Sequence, residues 1–168
     1  MCSVAASNGH LDMLKHLHRE ECRWDARTCT AAASNGYLDC LIYAHEEDCR
    51  WNHETCDAAA RNGNIDCLQY LHEEGCLWDK ETCESASLYG QLDCLIYLHE
   101  NGCPWDKSTC IAAARNGHLD CLRYAHEEGC EWDDRICKAA RFHKRCRKYI
   151  HTTGKIMCKH LTRQRVIR

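Results

Sequence analysis

The 168-residue chain has one proline and one phenylalanine, and no apolar run approaches the roughly 20 residues that a membrane-spanning helix needs. Its N-terminus, MCSVAASNGHLDMLKHLH, lacks a charged leader followed by an apolar stretch and a small-residue cleavage site, so no secretory signal is legible. No stretch alternates polar and apolar residues as a half-buried strand would, and no glycine-rich phosphate loop is present, because each glycine stands alone at a turn. At 45% apolar and 28% charged residues, the composition is too apolar for a disordered chain. A soluble folded body is expected. A chain of this length buries roughly two thirds of its unfolded surface, so neither disulfides nor metals are obligatory.

What is abundant is cysteine, 17 in all, beside 12 histidines. That density raises a secreted disulfide scaffold, but the odd count, the missing leader and the spacing argue for reduced thiols in an intracellular compartment. Gly9, Gly36, Gly63, Gly90 and Gly117 are 27 positions apart, as are Trp24, Trp51, Trp78, Trp105 and Trp132, and His18, His45, His72, His99 and His126. Cysteines keep the same clock in three series: Cys2, Cys29, Cys56, Cys83, Cys110 and Cys137; Cys22, Cys49, Cys76, Cys103 and Cys130; Cys40, Cys67, Cys94 and Cys121. Only Cys146 and Cys158 fall outside. Met13 holds the first place of the third series, so that slot is expected to be a buried apolar one. A fixed period of this size marks a solenoid whose units bury their apolar faces on one another.

Within residues 109–135 the text is TCIAAARNGHLDCLRYAHEEGCEWDDR. Ala112, Ala113 and Ala114 favour a helix, Asp106 can accept from the free amides at its start, and Asn116 and Gly117 tolerate the left-handed exit. Leu119, Leu122, Ala125 and His126 then recur at steps of three and four, which predicts an amphipathic second helix closed by Gly129. The unit reads as helix, turn, helix, short loop.

The run TCIAAARNGHLDCLRYAHEEGCEWD resembles an ankyrin repeat, after that family's pattern of a Thr-Pro-led first helix, an Ala-Ala-x-x-Gly-His-Leu turn and a Gly-Ala-Asp exit. The resemblance covers five copies, 1–27, 28–54, 55–81, 82–108 and 109–135. Cys29, Cys56, Cys83 and Cys110 stand where the ankyrin pattern has proline, and the unit is 27 residues against a usual length of about 33. The resemblance implies an all-α solenoid lacking the projecting β-hairpin fingers, and a role in binding other proteins. Text such as NGCPWD, Asn101 to Asp106, is similar to shortened Cys- and Trp-bearing arrays of large DNA viruses of protists and of some protists, which implies engagement of host proteins.

Residues 136–168 read as a divergent sixth unit that caps the array. Cys137, Ala139 and Ala140 keep register, and a two-residue deletion places Cys146, Tyr149, His151 and Gly154 on Cys121, Tyr124, His126 and Gly129. Twelve of the 22 basic side chains and none of the 25 acidic ones lie from Arg135 onward, so a formal +12 tail follows a formal −15 body. Such a tail can offset the self-repulsion of the acidic array, or contact nucleic acid, or carry the protein into the nucleus.

His18, Cys22 and Cys29, repeated in each unit, are zinc-ligand types at short separations. Stacked helix pairs lie about 10 Å apart, so equivalent residues of adjacent units cannot share an ion. Buried cysteine as a small hydrophobe is the simpler reading. His126 and its equivalents are expected to be half-buried and bonded to a neighbouring carbonyl, and the tryptophans to cover the seams between units. Glu46/Glu47, Glu73/Glu74 and Glu127/Glu128 read as a solvated edge. Nothing points to catalysis.

Positions that differ between units are free to carry recognition. They are Asp57, Glu84 and Ile111 after the first cysteine, Arg61, Leu88 and Arg115 before the turn with Tyr89 beside them, and Tyr37 and His118 after it. Leu88, Tyr89 and Ile111 make the most apolar break. The expected protein is a monomeric, non-catalytic scaffold that takes an unidentified protein partner on its concave first-helix face, with no cofactor and no small-molecule substrate. Two other readings remain open: a zinc- or redox-responsive Cys/His repeat protein, and an array tethered to nucleic acid through residues 135–168.

Overall fold

The structure, a computed structural model, describes residues 1–153. Among them, first helices α1 (Cys2–Ser7), α3 (Ala26–Asn35), α5 (His53–Asn62), α7 (Lys80–Tyr89) and α9 (Lys107–Asn116) alternate with second helices α2 (Leu11–Arg19), α4 (Leu38–Glu46), α6 (Ile65–Glu73), α8 (Leu92–Glu100) and α10 (Leu119–Glu127). The chain then forms α11 (Arg135–Ala139), a single 3-10 turn (Ala140–Phe142) and α12 (Lys144–Thr153), and no strand occurs among the described residues. The all-α helix-turn-helix solenoid expected from the period is the architecture found, without hairpin fingers.

Local chemistry sets each boundary. Asp25, Asp79 and Asp106 accept from the amides of Arg27, Glu81 and Ser108 at 3.0, 3.0 and 2.7 Å, closing the open start of a first helix. Each such cap stabilises by about 1 kcal/mol. Asn52 makes no such bond. First helices end at a left-handed glycine, and at Gly63 (φ +76°) a methyl group would meet Gln91 Oε1 at 2.5 Å. The side chain after each turn thus lies against the glycine of the unit before it: Tyr37 on Gly9, Asn64 on Gly36, Gln91 on Gly63, His118 on Gly90. After the second helix the chain again turns left-handed, at Glu21 and Asp48 (φ 57° and 63°) where later units use Gly75, Gly102 and Gly129. A side chain in that conformation costs about 1 kcal/mol.

The core is a row of small first-helix residues backed by leucines. Cys29, Ala32 and Ala33, and their equivalents Cys56, Ala59 and Ala60, are buried with Leu41, Leu68, Leu95 and Leu122 behind them. Small side chains let neighbouring first helices approach closely, whereas the second helices carry Leu, Tyr and His and make fewer contacts with one another. The stack therefore curves with its first helices on the inner side.

Two expectations change at the ends. Met13 is 51% exposed, while Cys40, Cys67, Cys94 and Cys121 are buried. That slot faces the preceding unit, and Met13 belongs to the first one. Cys137 is half-buried and disulfide-bonded, so the expectation of reduced thiols fails there, while fifteen described cysteines are free. Ile136 of the short α11 and Ala140 of the 3-10 turn that follows are the buried residues, which leaves Cys137 on the flank. The expectations for Gly154, Cys158 and the rest of the basic tail lie outside the described residues.

Gly63→Ala is expected to cost more stability than Gly75→Ala, by urea midpoint. Both glycines have positive φ, but a methyl group at Gly75 meets nothing within 4 Å. Gly75→Ala should cost about 1 kcal/mol from backbone strain alone. Equal losses would show that the contact with Gln91 is not tight.

Candidate binding face and inter-unit seams

Each seam is closed on its outer side by three aromatic rings. His18 stacks on Trp24, His45 on Trp51, His72 on Trp78, His99 on Trp105 and His126 on Trp132, with ring centroids 3.8 to 4.0 Å apart. The Nδ1 of each histidine meets the hydroxyl of the next unit's tyrosine: His45 with Tyr70, His72 with Tyr97 and His99 with Tyr124, all at 2.9 Å. The partner is therefore a tyrosine hydroxyl and not the carbonyl expected from the sequence. His126 makes this contact with Tyr149 at 3.0 Å over 23 residues, where the other pairs span 25.

On the inner side, hydroxyls and carboxylates close the same seams. Thr30 and Thr55 share a hydrogen bond at 2.9 Å, and Thr82 donates to Asp57. Burial pushes the Asp57 carboxyl up, and the Thr82 bond pulls it back down. Glu84 stands 25 residues before Thr109, whose hydroxyl is buried without a partner. At the last seam both places are apolar, Ile111 and Ile136, and both residues are buried.

Thiols occupy the loop side. Cys49, Cys76, Cys103 and Cys130 donate to the carbonyls of Asp25, Asn52, Asp79 and Asp106 at 3.3, 3.5, 3.1 and 3.1 Å, so each loop is bonded to the loop before it. No three His, Cys, Asp or Glu side chains among the described residues converge as metal ligands. The histidine that a zinc set would need is turned into the aromatic stack.

Residues 2–82 match the ankyrin-repeat family over three copies. Residues 2–82 carry ankyrin repeats. In fold it is similar to the human ASB11 ankyrin repeat domain, with a TM-score of 0.79 at 19% identity over 92% of this chain and 84% of that one. No curated protein sequence matches it. In the ankyrin fold seen here, the departures are the 27-residue unit and the cysteine at the place of proline.

The residues singled out for partner binding separate on this frame. Asp57 is bonded to Thr82, Ile111 is 9% exposed beneath the cap, and Tyr37 and His118 lie against glycines, so each of these four has a contact within the stack. Glu84 is half-buried. Arg61, Leu88 and Arg115 occupy one position on successive first helices, with Arg61 and Arg115 exposed, Leu88 half-buried and Tyr89 beside it 50% exposed.

The sequence reading missed the last member of that row. One more step of 27 from Arg115 reaches Phe142, which is 79% exposed with the Arg141 guanidinium 4.4 Å from its ring centroid. A groove of about 510 Å³ lies there, lined by Ile111, Arg115, Arg135, Lys138, Arg141 and Phe142. Arg135 is held by Asp133, which receives its Nε at 3.0 Å, and this pairing brings the Asp133 carboxyl down to about 2. Arg115, Lys138 and Arg141 have no ion pair among the described residues.

Burial gives the third thiol series a pH signature. It raises Cys67 from 9.0 to about 11 and Cys94 and Cys121 to about 12, with the adjacent aspartate of each adding to the effect. Below pH 9 these thiols are protonated whether folded or unfolded, so their contribution is fully present. Above it the unfolded chain ionises first, and stability is lost as pH rises toward 12. The urea midpoint should fall steadily between about pH 8 and about pH 10.5. Cys94→Ala with Cys121→Ala should lower the midpoint throughout but flatten that slope, and an unchanged slope would contradict the assignment.

Proposed function

We propose that this array is a non-catalytic scaffold that holds a protein partner on the inner first-helix row, from Arg61 through Leu88 and Tyr89 to Arg115 and Phe142. Ankyrin repeats generally mediate protein-protein interaction, and this row is where the repeated frame stops repeating. The observation that carries the reading is the change along one position, from Arg61 to Leu88 to Arg115 to Phe142, while the outer His-Trp-Tyr seams stay constant. Exposed aromatic anchors beside arginines are the groups that dominate interface energies. The partner presents an apolar group to Phe142 and acidic side chains to Arg115, Lys138 and Arg141. Glu84 borders the row from within the seam.

No helix among the described residues is long and apolar enough to cross a membrane. The likeness to arrays of protists and their large viruses makes a host protein in a reducing compartment the partner to seek, with the scaffold acting as a monomer.

The test is capture from the native cell with Tyr89→Ala and Phe142→Ala combined, both exposed positions outside the core. Loss of about tenfold in the captured partner is expected, the scale of one or two anchor residues. Leu77→Ser, at an exposed loop tip, should leave capture unchanged. Capture that survives the first change and fails with the second would place the partner on the loops.

A further inference from the structure

Two of the three cysteine series meet inside every unit. Cys2, Cys29, Cys56, Cys83 and Cys110 sit on first helices, and each stands 20 residues before Cys22, Cys49, Cys76, Cys103 or Cys130 in the loop after the second helix. The helix thiol lies against its loop partner: Cys2, Cys29 and Cys110 donate to the carbonyl oxygens of Cys22, Cys49 and Cys130 at 3.7, 3.5 and 3.8 Å. No third ligand joins a pair, because no three metal-ligating side chains converge among the described residues. Two thiols without a further ligand do not make a tetrahedral zinc site, whereas they suffice for a disulfide.

We propose that each of these pairs is an oxidation site, which a peroxide closes to an intra-unit disulfide and a thiol reductant reopens. The loop thiol is the one attacked. Surface grooves open beside Cys49 and Cys130, while Cys29 and Cys110 lie beneath them, fully buried. The neighbouring helix cysteine holds Cys49, Cys76 and Cys130 below the ordinary thiol value, and the loop cysteine together with burial pushes Cys29, Cys56 and Cys110 up. The loop thiolate therefore forms first and takes one peroxide oxygen, giving a sulfenic acid with release of water. The helix thiol then attacks the sulfenic sulfur; the S–S bond forms as the hydroxyl leaves with the thiol proton as a second water. Two thiol hydrogens and one peroxide account for both waters and one disulfide.

The link ties the first helix to the following loop of its own unit. It also removes the S–H that Cys49 donates to Asp25 and Cys130 to Asp106, so oxidation strengthens units while releasing the bond between their loops. Cys40, Cys67, Cys94 and Cys121 have no thiol partner among the described residues and provide an internal control.

The whole folded chain is treated with hydrogen peroxide, alkylated after denaturation and mapped by peptide mass. Cross-links should join Cys29 to Cys49, Cys56 to Cys76, Cys83 to Cys103 and Cys110 to Cys130, and vanish with dithiothreitol, while the control series stays alkylated. Cys76→Ser should remove the Cys56 link alone. Peroxide-induced links between other partners, beyond the disulfide that Cys137 already makes, equal oxidation of the control series, or sulfinic acids without links would each overturn the proposal; the wild-type map decides it even if a variant fails to fold.

Discussion

The structure depends on how closely neighbouring first helices approach. A unit of 27 residues has too little apolar surface to fold by itself, and its stability comes from the two faces that it shares with its neighbours. Ala32, Ala33 and Cys29, and their counterparts in each unit, keep the inner side thin. On the outer side a histidine stacked on a tryptophan receives the tyrosine of the next unit, which holds the second helices wider apart. Small residues inside and rings outside give the curve, and the curve produces a continuous inner row on which side chains are free to differ.

Cysteine performs three jobs in this frame that one residue type seldom combines. On the first helix it is a small core atom group, in the loop it is a donor to a neighbouring carbonyl, and on the second helix it is buried against the previous unit. A larger side chain at the helix site would push the inner row apart, and a residue without a donor in the loop would leave a carbonyl unmet. These requirements explain the series without invoking a metal. They also set a helix thiol beside a loop cysteine, a by-product of packing with its own chemistry.

The period made the architecture legible, because glycine, tryptophan and histidine recur only if their surroundings recur. Helix ends were readable for the same reason: Asp106 and Gly117 act locally, within a few residues of where they stand. What the sequence does not display is pairing across a seam. Ile111 looks like an exposed anchor until Ile136 is seen to replace a threonine 25 residues on, and Tyr37 and His118 look free until a glycine is found under each ring. Phe142 was within reach of the same counting, since it falls one period after Arg115, but the lost Asn-Gly turn hid the register.

The left-handed turn after the second helix is occupied by Glu21 and Asp48 in the first two units and by glycine in the next three, and a first helix without a side-chain cap, at Asn52, follows the second of these turns. In a linear array each link carries its own free energy, so such differences are not averaged away. Amide protons near the N-terminal end will exchange before those around α7 to α10, and fraying will proceed inward from that side. The molecule is thus a graded spring, with its firmest coils next to the aromatic and basic end of the inner row.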